Sequence, residues 1–340
     1  MSEYRKEQDQ IKIEKTKKIL EILPDYCKHY FTGRSTVIST GTELAYAKDL
    51  LLFYKFLSEL YHKEIKEINL DDINNLKGTD IESFLSYIKS YKDEEGNIIN
   101  NGEASVKRKY SCLKTFFAYY FRNDFIENNP MLKIETPKIH RKEIIRLDDD
   151  ETEELLDAAL LGIKTSKVGT AYAKINGLRN YTIMRLLANT GLRVSECVGL
   201  DINDIDLDKQ ELRLIRKGGN FDLVYFNNST KNALATYLEE RKEIKNIIKG
   251  SEKALFLSSR KTRLSVRSIE NIVKEHAQTV TLKHITPHKF RSSFASKLYE
   301  ETDGNAILVS KALNHSSIAT GERYYIDASK QKLKLKDIEL

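Results

Sequence analysis

Apolar residues recur at three- and four-residue steps through most of this chain, and that period limits its fold more than any other feature. Side chains spaced in this way fall on one stripe of an α-helix, and such a stripe must be buried against another element. Ile81, Phe84, Leu85 and Ile88 predict one helix over about 80–92, and Leu113, Phe116, Phe117 and Tyr120 another over 104–121. Residues 7–31 read as helical through Ile11, Ile19, Leu20, Ile22 and Leu23, with Pro24 as an interruption. A loop rich in Ser, Thr and Gly follows at 33–42. Leu44, Leu50, Leu51, Tyr54, Phe56 and Leu57 then mark a strong helix, and the polar stretch 93–103 reads as a turn or loop. Four amphipathic helices of this length bury a bundle core of their own.

Two of the four prolines, Pro130 and Pro137, flank the end of this region, and a basic run from Lys138 to Lys142 follows. The expected division is a helical bundle over 1–137, a basic linker over 138–146 and a second domain over 147–340. That second domain opens on Leu147-Asp148-Asp149-Asp150-Glu151, an acidic first turn that suits the positive end of a helix. Gly191 interrupts a helix, and Arg193 and Glu196 open the next. ELRLIR and FDLVYF alternate about Lys217-Gly218-Gly219-Asn220 and predict a hairpin. Helices are expected over about 230–249 and 265–276. The fold class is therefore mainly α with a small β-sheet, in two domains.

Composition narrows the setting. No apolar run approaches the roughly 18 residues of a membrane-spanning helix. The charged N-terminus carries no secretory pattern, so the expectation is a cytoplasmic protein. Cys27, Cys112 and Cys197 are too few and scattered for a disulfide framework or zinc site. The balance of 56 basic against 50 acidic residues leaves +6, which suits a polyanion without identifying one. No Gly-Lys-Ser/Thr or Gly-x-Gly-x-x-Gly loop accompanies the glycines, and no carboxylate cluster offers a magnesium site; no cofactor is expected.

The most informative stretch is 286–325. Thr286-Pro287 predicts a helix start, with the hydroxyl as N-cap. His288 and Arg291, three apart, project from nearly the same side, while Phe290, Phe294 and Leu298 form an apolar stripe. Leu313-Asn314-His315-Ser316-Ser317 supplies a second imidazole, and Tyr324 lies nine residues beyond His315. His-x-x-Arg, a Leu-x-His-Ser turn and a tyrosine at this spacing resemble the C-terminal signature of the tyrosine recombinase (phage integrase) family, of which a two-domain, Xer-like member is the expectation. Thr190-Gly191-Leu192-Arg193-Val194-Ser195-Glu196 is similar to that family's first arginine motif. The bundle region is similar, through more weakly marked pieces, to its SAM-like core-binding domain.

The resemblance implies site-specific cutting and rejoining of DNA through a covalent 3′-phosphotyrosyl intermediate, without metal or ATP. It implies Tyr324 as nucleophile, with Tyr325 as its one-residue rival. Arg193 and Arg291 would clamp the scissile phosphate. His288 would bind it and handle the tyrosine proton, and His315 would hydrogen-bond a non-bridging oxygen. Lys217 would be the general acid, with Arg216 and Lys209 as competitors because the family's Gly-Lys-Gly order is altered here. Glu196 would orient rather than react. DNA contacts are expected from Lys107, Arg108, Lys109 and Lys114 on the last bundle helix, from Arg141 and Lys142 in the linker, and from Arg260, Lys261, Arg263 and Arg267. The family further implies a C-shaped clamp on double-stranded DNA and a homo-tetramer on two duplexes, its C-terminal tail docking on a neighbour. A type IB topoisomerase and a catalytically silent DNA-binding protein are the competing readings. Asn314 stands where the family usually has glycine, and Gly321 where threonine is common.

Overall fold

The computed structural model describes residues 3–140, 145–162, 169–215 and 221–314. The chain divides between Lys142 and Glu143 into two compact units.

The N-terminal unit is helical. Helices α1 (Glu3–Leu20) and α2 (Tyr26–Arg34) are separated at Pro24, as that proline requires. Ser39 caps α3 (Thr40–Tyr61) by accepting from Thr42 N–H, so Thr40 to Thr42 form its first turn rather than the end of a loop. The short α4 (Leu70–Asn74) precedes α5 (Gly78–Tyr87). Helix α5 stops five residues before the predicted Lys92, because Ser90–Lys92 (β1) pairs antiparallel with Ile98–Asn100 (β2). The expected helix end and polar loop are thus a small hairpin, whose turn is held by Asp93 accepting from the N–H groups of Glu95 and Asn97. Helix α6 (Glu103–Arg122) completes the bundle. Phe53, Tyr54, Phe84, Phe116, Phe117 and Tyr120 are fully buried in a core of edge-on aromatic contacts.

In the C-terminal unit, Asp148 and Glu151 form a reciprocal capping box at the start of α7 (Asp149–Leu161). Helix α8 (Gly169–Thr190) ends at Gly191, and α9 (Val194–Val198) follows at once. Strands β3 (Ile205–Asp206), β4 (Glu211–Ile215) and β5 (Phe221–Tyr225) form an antiparallel sheet in the order β3-β4-β5. The predicted hairpin is β4-β5, with Leu212 opposite Val224; the two-residue third strand has no pattern of its own. Helix α10 (Asn228–Lys242) ends seven residues short of the predicted Lys249. Helices α11 (Val266–Val280), α12 (Pro287–Glu301) and α13 (Ala306–Ala312) complete the unit. Ile183, Leu187, Leu234, Leu255, Ile269 and Phe290 are buried among these elements. No described helix is long and apolar enough to cross a membrane.

Candidate active site

The site grows from the break at Gly191. Its φ of +60° turns the chain from α8 into α9, and a Cβ there would stand 2.6 Å from Phe294 Cδ1 and 2.7 Å from Leu313 Cδ2. Glycine is therefore required twice, for backbone conformation and for space. The turn brings Arg193 to the N-cap of α9. Glu196 accepts from the Arg193 backbone N–H at 2.8 Å through Oε2 and from Nη1 at 2.9 Å through Oε1. One carboxylate thus caps the helix and aims the guanidinium, which leaves the Arg193 side chain 42% exposed.

Arg291 arrives from α12. Pro287 occupies the first turn of that helix, although Thr286, expected to cap it through its hydroxyl, makes no side-chain capping bond. Phe290 is buried, and Phe294 and Leu298 pack with Val309 and Leu313 of the following segment. This apolar face fixes the rotation of α12. Leu147 N–H donates to Ser293 Oγ at 2.9 Å, and Lys297 pairs with Asp149 at 2.9 Å, tying α12 to the start of α7. The Arg291 side chain is buried rather than offered to solvent, donating through Nη1 to the Gly191 carbonyl and through Nη2 to the Leu313 carbonyl at 2.6 Å. Arg193 Nη2 donates to the carbonyl of Asn314 at 3.4 Å. Asn314 has a φ of 48°, the left-handed conformation that asparagine tolerates where glycine is otherwise favoured.

His288 stands one turn before Arg291 on the same helix. Burial by the packed protein, then the charges of Arg291, Lys289 and Arg193, press its pKa below the ordinary imidazole value. A neutral ring at physiological pH is the form that accepts a proton.

Arg193, Glu196, His288 and Arg291 are therefore brought together. Lys217, Arg216, His315, Tyr324 and Tyr325 lie outside the described residues, as do Arg141 and Lys142; the competitor Lys209 is 3.9 Å from Asp206. The backbone carbonyls of Gly191 and Leu313, which hold Arg291, had no signature in residue type. The break at Gly191 was the one legible sign.

The expected DNA contacts divide. Arg108, Lys114, Arg260 and Arg267 are exposed, and Lys107 and Lys261 are partly so. Arg108 pairs with the buried carboxylate of Asp49, Arg267 lies 3.6 Å from Glu270, and Lys114 lies over the Tyr110 ring. Two readings are corrected. Lys109 is enclosed, donating to Asn101 Oδ1 and Ser105 Oγ with Asp49 at 3.9 Å. Arg263 turns inward onto the carbonyls of Val198 and Leu200. Both were taken as outward cations because charge usually stays in water, but here internal acceptors make their burial tolerable.

The phage integrase family model matches residues 146–332, and the model of the phage integrase N-terminal SAM-like domain matches residues 26–124. Tyrosine recombinase XerC of Caldanaerobacter subterraneus is 30% identical over 319 residues, covering 91% of this chain and 84% of that protein. Tyrosine recombinase XerS of Streptococcus agalactiae is 30% identical over 343 residues, covering 92% and 94%. Among solved structures, XerH site-specific recombinase bound to palindromic difH substrate matches with a TM-score of 0.66 at 21% identity, over 92% of this chain and 83% of that one. The Tn1549 transposon integrase in complex with circular intermediate DNA matches with a TM-score of 0.63 at 18% identity, over 92% and 99%.

Proposed function

The chain belongs to the phage integrase family, and from that premise we propose how its residues carry out the reaction of a tyrosine-type site-specific DNA recombinase. The observation that carries the reading is the convergence of two guanidinium groups from separate elements on neighbouring carbonyls, Arg291 on Leu313 and Arg193 on Asn314, beside a neutral-leaning imidazole. Those carbonyl oxygens mark where both forks can place donors. A phosphodiester passing through a pentacoordinate state concentrates negative charge on its non-bridging oxygens, and planar forks suit that charge.

In the proposed step the phenolic oxygen of Tyr324 attacks the scissile phosphorus in line. The O–P bond to tyrosine forms as the P–O5′ bond breaks. The tyrosine proton passes to His288, and Lys217 protonates the departing 5′-oxygen. Arg193, Arg291 and His315 hold the non-bridging oxygens. Rejoining is the same step in reverse, with a 5′-hydroxyl attacking the phosphotyrosine. The phosphodiester energy is kept in the protein–DNA bond, so no nucleotide is needed.

The wider proposal has the N-terminal unit and the exposed cations Lys107, Arg108, Lys114, Arg260, Lys261 and Arg267, with Arg141 and Lys142, holding double-stranded DNA. Four copies would act on two duplexes in the cytoplasm. All three cysteines are buried without disulfides, and burial pushes the thiols of Cys27 and Cys197 up to about 12, which suits a reducing compartment.

The test is incubation with a nicked suicide duplex, followed by SDS electrophoresis. A covalent adduct is expected from the native protein and from Tyr325→Phe, and none from Tyr324→Phe. An adduct that survives Tyr324→Phe removes the nucleophile assignment, and no adduct with a cognate site removes the mechanism.

A further inference from the structure

At five residues, α9 is too short to hold its own orientation in isolation. It carries Arg193 at its start, and its far end is met by Arg263. Nη1 of Arg263 donates to the carbonyls of Val198 at 3.0 Å and Leu200 at 2.8 Å, while Nη2 pairs with Asp201. Only 10% of the Arg263 side chain is exposed. Its backbone is fixed in turn, the N–H donating to Ser251 Oγ at 3.1 Å, and Leu264 N–H donating to the Phe256 carbonyl at 3.1 Å. The Leu200 carbonyl also receives Leu255 N–H at 3.0 Å. One planar fork therefore takes up the Val198 carbonyl, which the helix end leaves without an intrahelical donor, and shares the Leu200 carbonyl just beyond it with Leu255.

We infer that Arg263 is a positioning residue for Arg193. Glu196, itself on α9, caps the Arg193 end from within, while Arg263 grips the far end from outside. At 1.5 Å rise per residue that grip lies only about 8 Å along the axis from Arg193. The tilt of so short a strut sets where the Arg193 fork points. Lysine at 263 would bring a single ammonium, which cannot reproduce the planar fork that spans two carbonyls and a carboxylate. This inference rests on Arg193 as a phosphate clamp, and the experiment keeps the two apart.

The full-length protein and its Arg263→Lys and Arg193→Lys variants are given two suicide duplexes. One has an ordinary scissile phosphate and the other a methylphosphonate, which lacks the negative charge a guanidinium clamp serves. Adduct formation is followed at saturating protein in a single turnover. On the phosphate, Arg263→Lys is expected to slow cleavage about 10- to 100-fold, the scale of a misplaced catalytic group, with DNA affinity held within about twofold. On the methylphosphonate the deficit shrinks several-fold, as it does for Arg193→Lys. Equal slowing on both substrates makes Arg263 a general support of the fold and overturns the inference. Weaker, more salt-sensitive binding with an unchanged saturating rate makes it a DNA contact and overturns it equally. Native-rate cleavage by Arg193→Lys removes the clamp reading itself, whatever Arg263 does. Should Arg263→Lys not fold, Asp201→Asn goes through the same pair; the same substrate-dependent loss at smaller amplitude supports the inference, and its absence overturns it.

Discussion

Arg291 donates through Nη2 to the carbonyl of Leu313 at 2.6 Å, and the next carbonyl, that of Asn314, receives Arg193. The chain just ahead of His315 is thus fastened by the two guanidinium groups assigned to the phosphate. Gly191 completes the arrangement, its own carbonyl taking the second arm of Arg291.

Gly191→Ala is expected to damage stability and chemistry together. The new methyl meets Phe294 and Leu313 well inside contact distance, and the left-handed backbone adds about 1–2 kcal/mol for any L side chain. With the clash included, a loss of about 2–4 kcal/mol is expected in thermal unfolding, with cleavage reduced at least about tenfold as the arginines lose register. Native stability in this variant would contradict the packing described.

Asn314 separates backbone from side chain. Asn314→Gly keeps the left-handed turn and is expected to stay within about 1 kcal/mol of the native protein, with near-native adduct formation. Asn314→Val forces a β-branched residue into that conformation and should lose about 1–2 kcal/mol or more, with slower cleavage. Equal behaviour of the two would show that the positive φ does not matter.

Glu196 serves two bonds at Arg193, one to the backbone and one to the guanidinium. Glu196→Gln keeps an acceptor for the backbone but loses the charge, whereas Glu196→Ala loses both. Single-turnover cleavage should fall in that order, by up to about 100-fold for alanine, with DNA affinity little changed. A fall in affinity without a fall in rate would point to binding instead.

His288 makes the pH dependence directional. Its folded pKa lies below the ordinary value, through burial first and then Arg291, Lys289 and Arg193. The neutral base therefore persists as pH falls, and is lost only below the ordinary value of about 6.5. The acid limb of cleavage measured with limiting protein, which reports the free enzyme, should sit below that pH and disappear in His288→Gln. The same depression means that the unfolded chain binds the proton more readily, so this contribution to stability is present above the ordinary value and declines as pH falls through it. An acid limb above pH 7 would count against His288 as base.

Asp49 shows the opposite sign in the N-terminal unit. Burial raises its pKa to about 6 despite Arg108 and Lys109 nearby. Between its unfolded value and about 6 the folded state binds the extra proton, so its contribution to stability diminishes as pH rises through that window. The stability of the native protein relative to Asp49→Asn should fall by about 2–3 kcal/mol from pH 4 to pH 7, measured by denaturant unfolding at each pH. A flat difference would mean that Arg108 and Lys109 fully offset the effect of burial on this carboxylate.

How far residue type reached is visible at particular positions. The acidic helix start at Asp148 to Glu151, the break at Pro24, the strands of the hairpin on either side of 216–220, and the alignment of His288 with Arg291 were all legible, because each rests on contacts within a turn or two of chain. The β1-β2 hairpin was read as helix end and loop because three-residue strands carry too little alternation to compete with the preceding helical period. Lys109 sits on the helical stripe of Val106 and Leu113, yet its charge argued for water; what reverses that is Asp49, far along the chain. Arg263 is the same case, its acceptors lying more than sixty residues away.

The sequence by itself determined where most of the helices run and which family's reactive residue types the chain carries, since periodicity and spaced motifs are local properties of the chain. Only the tertiary structure decided which cations face inward, and that Arg291 is fastened to Gly191 and Leu313. Those outcomes depend on backbone carbonyls and buried carboxylates brought together from distant segments, and a backbone carbonyl has the same chemistry in every residue, so no letter of the sequence announces it.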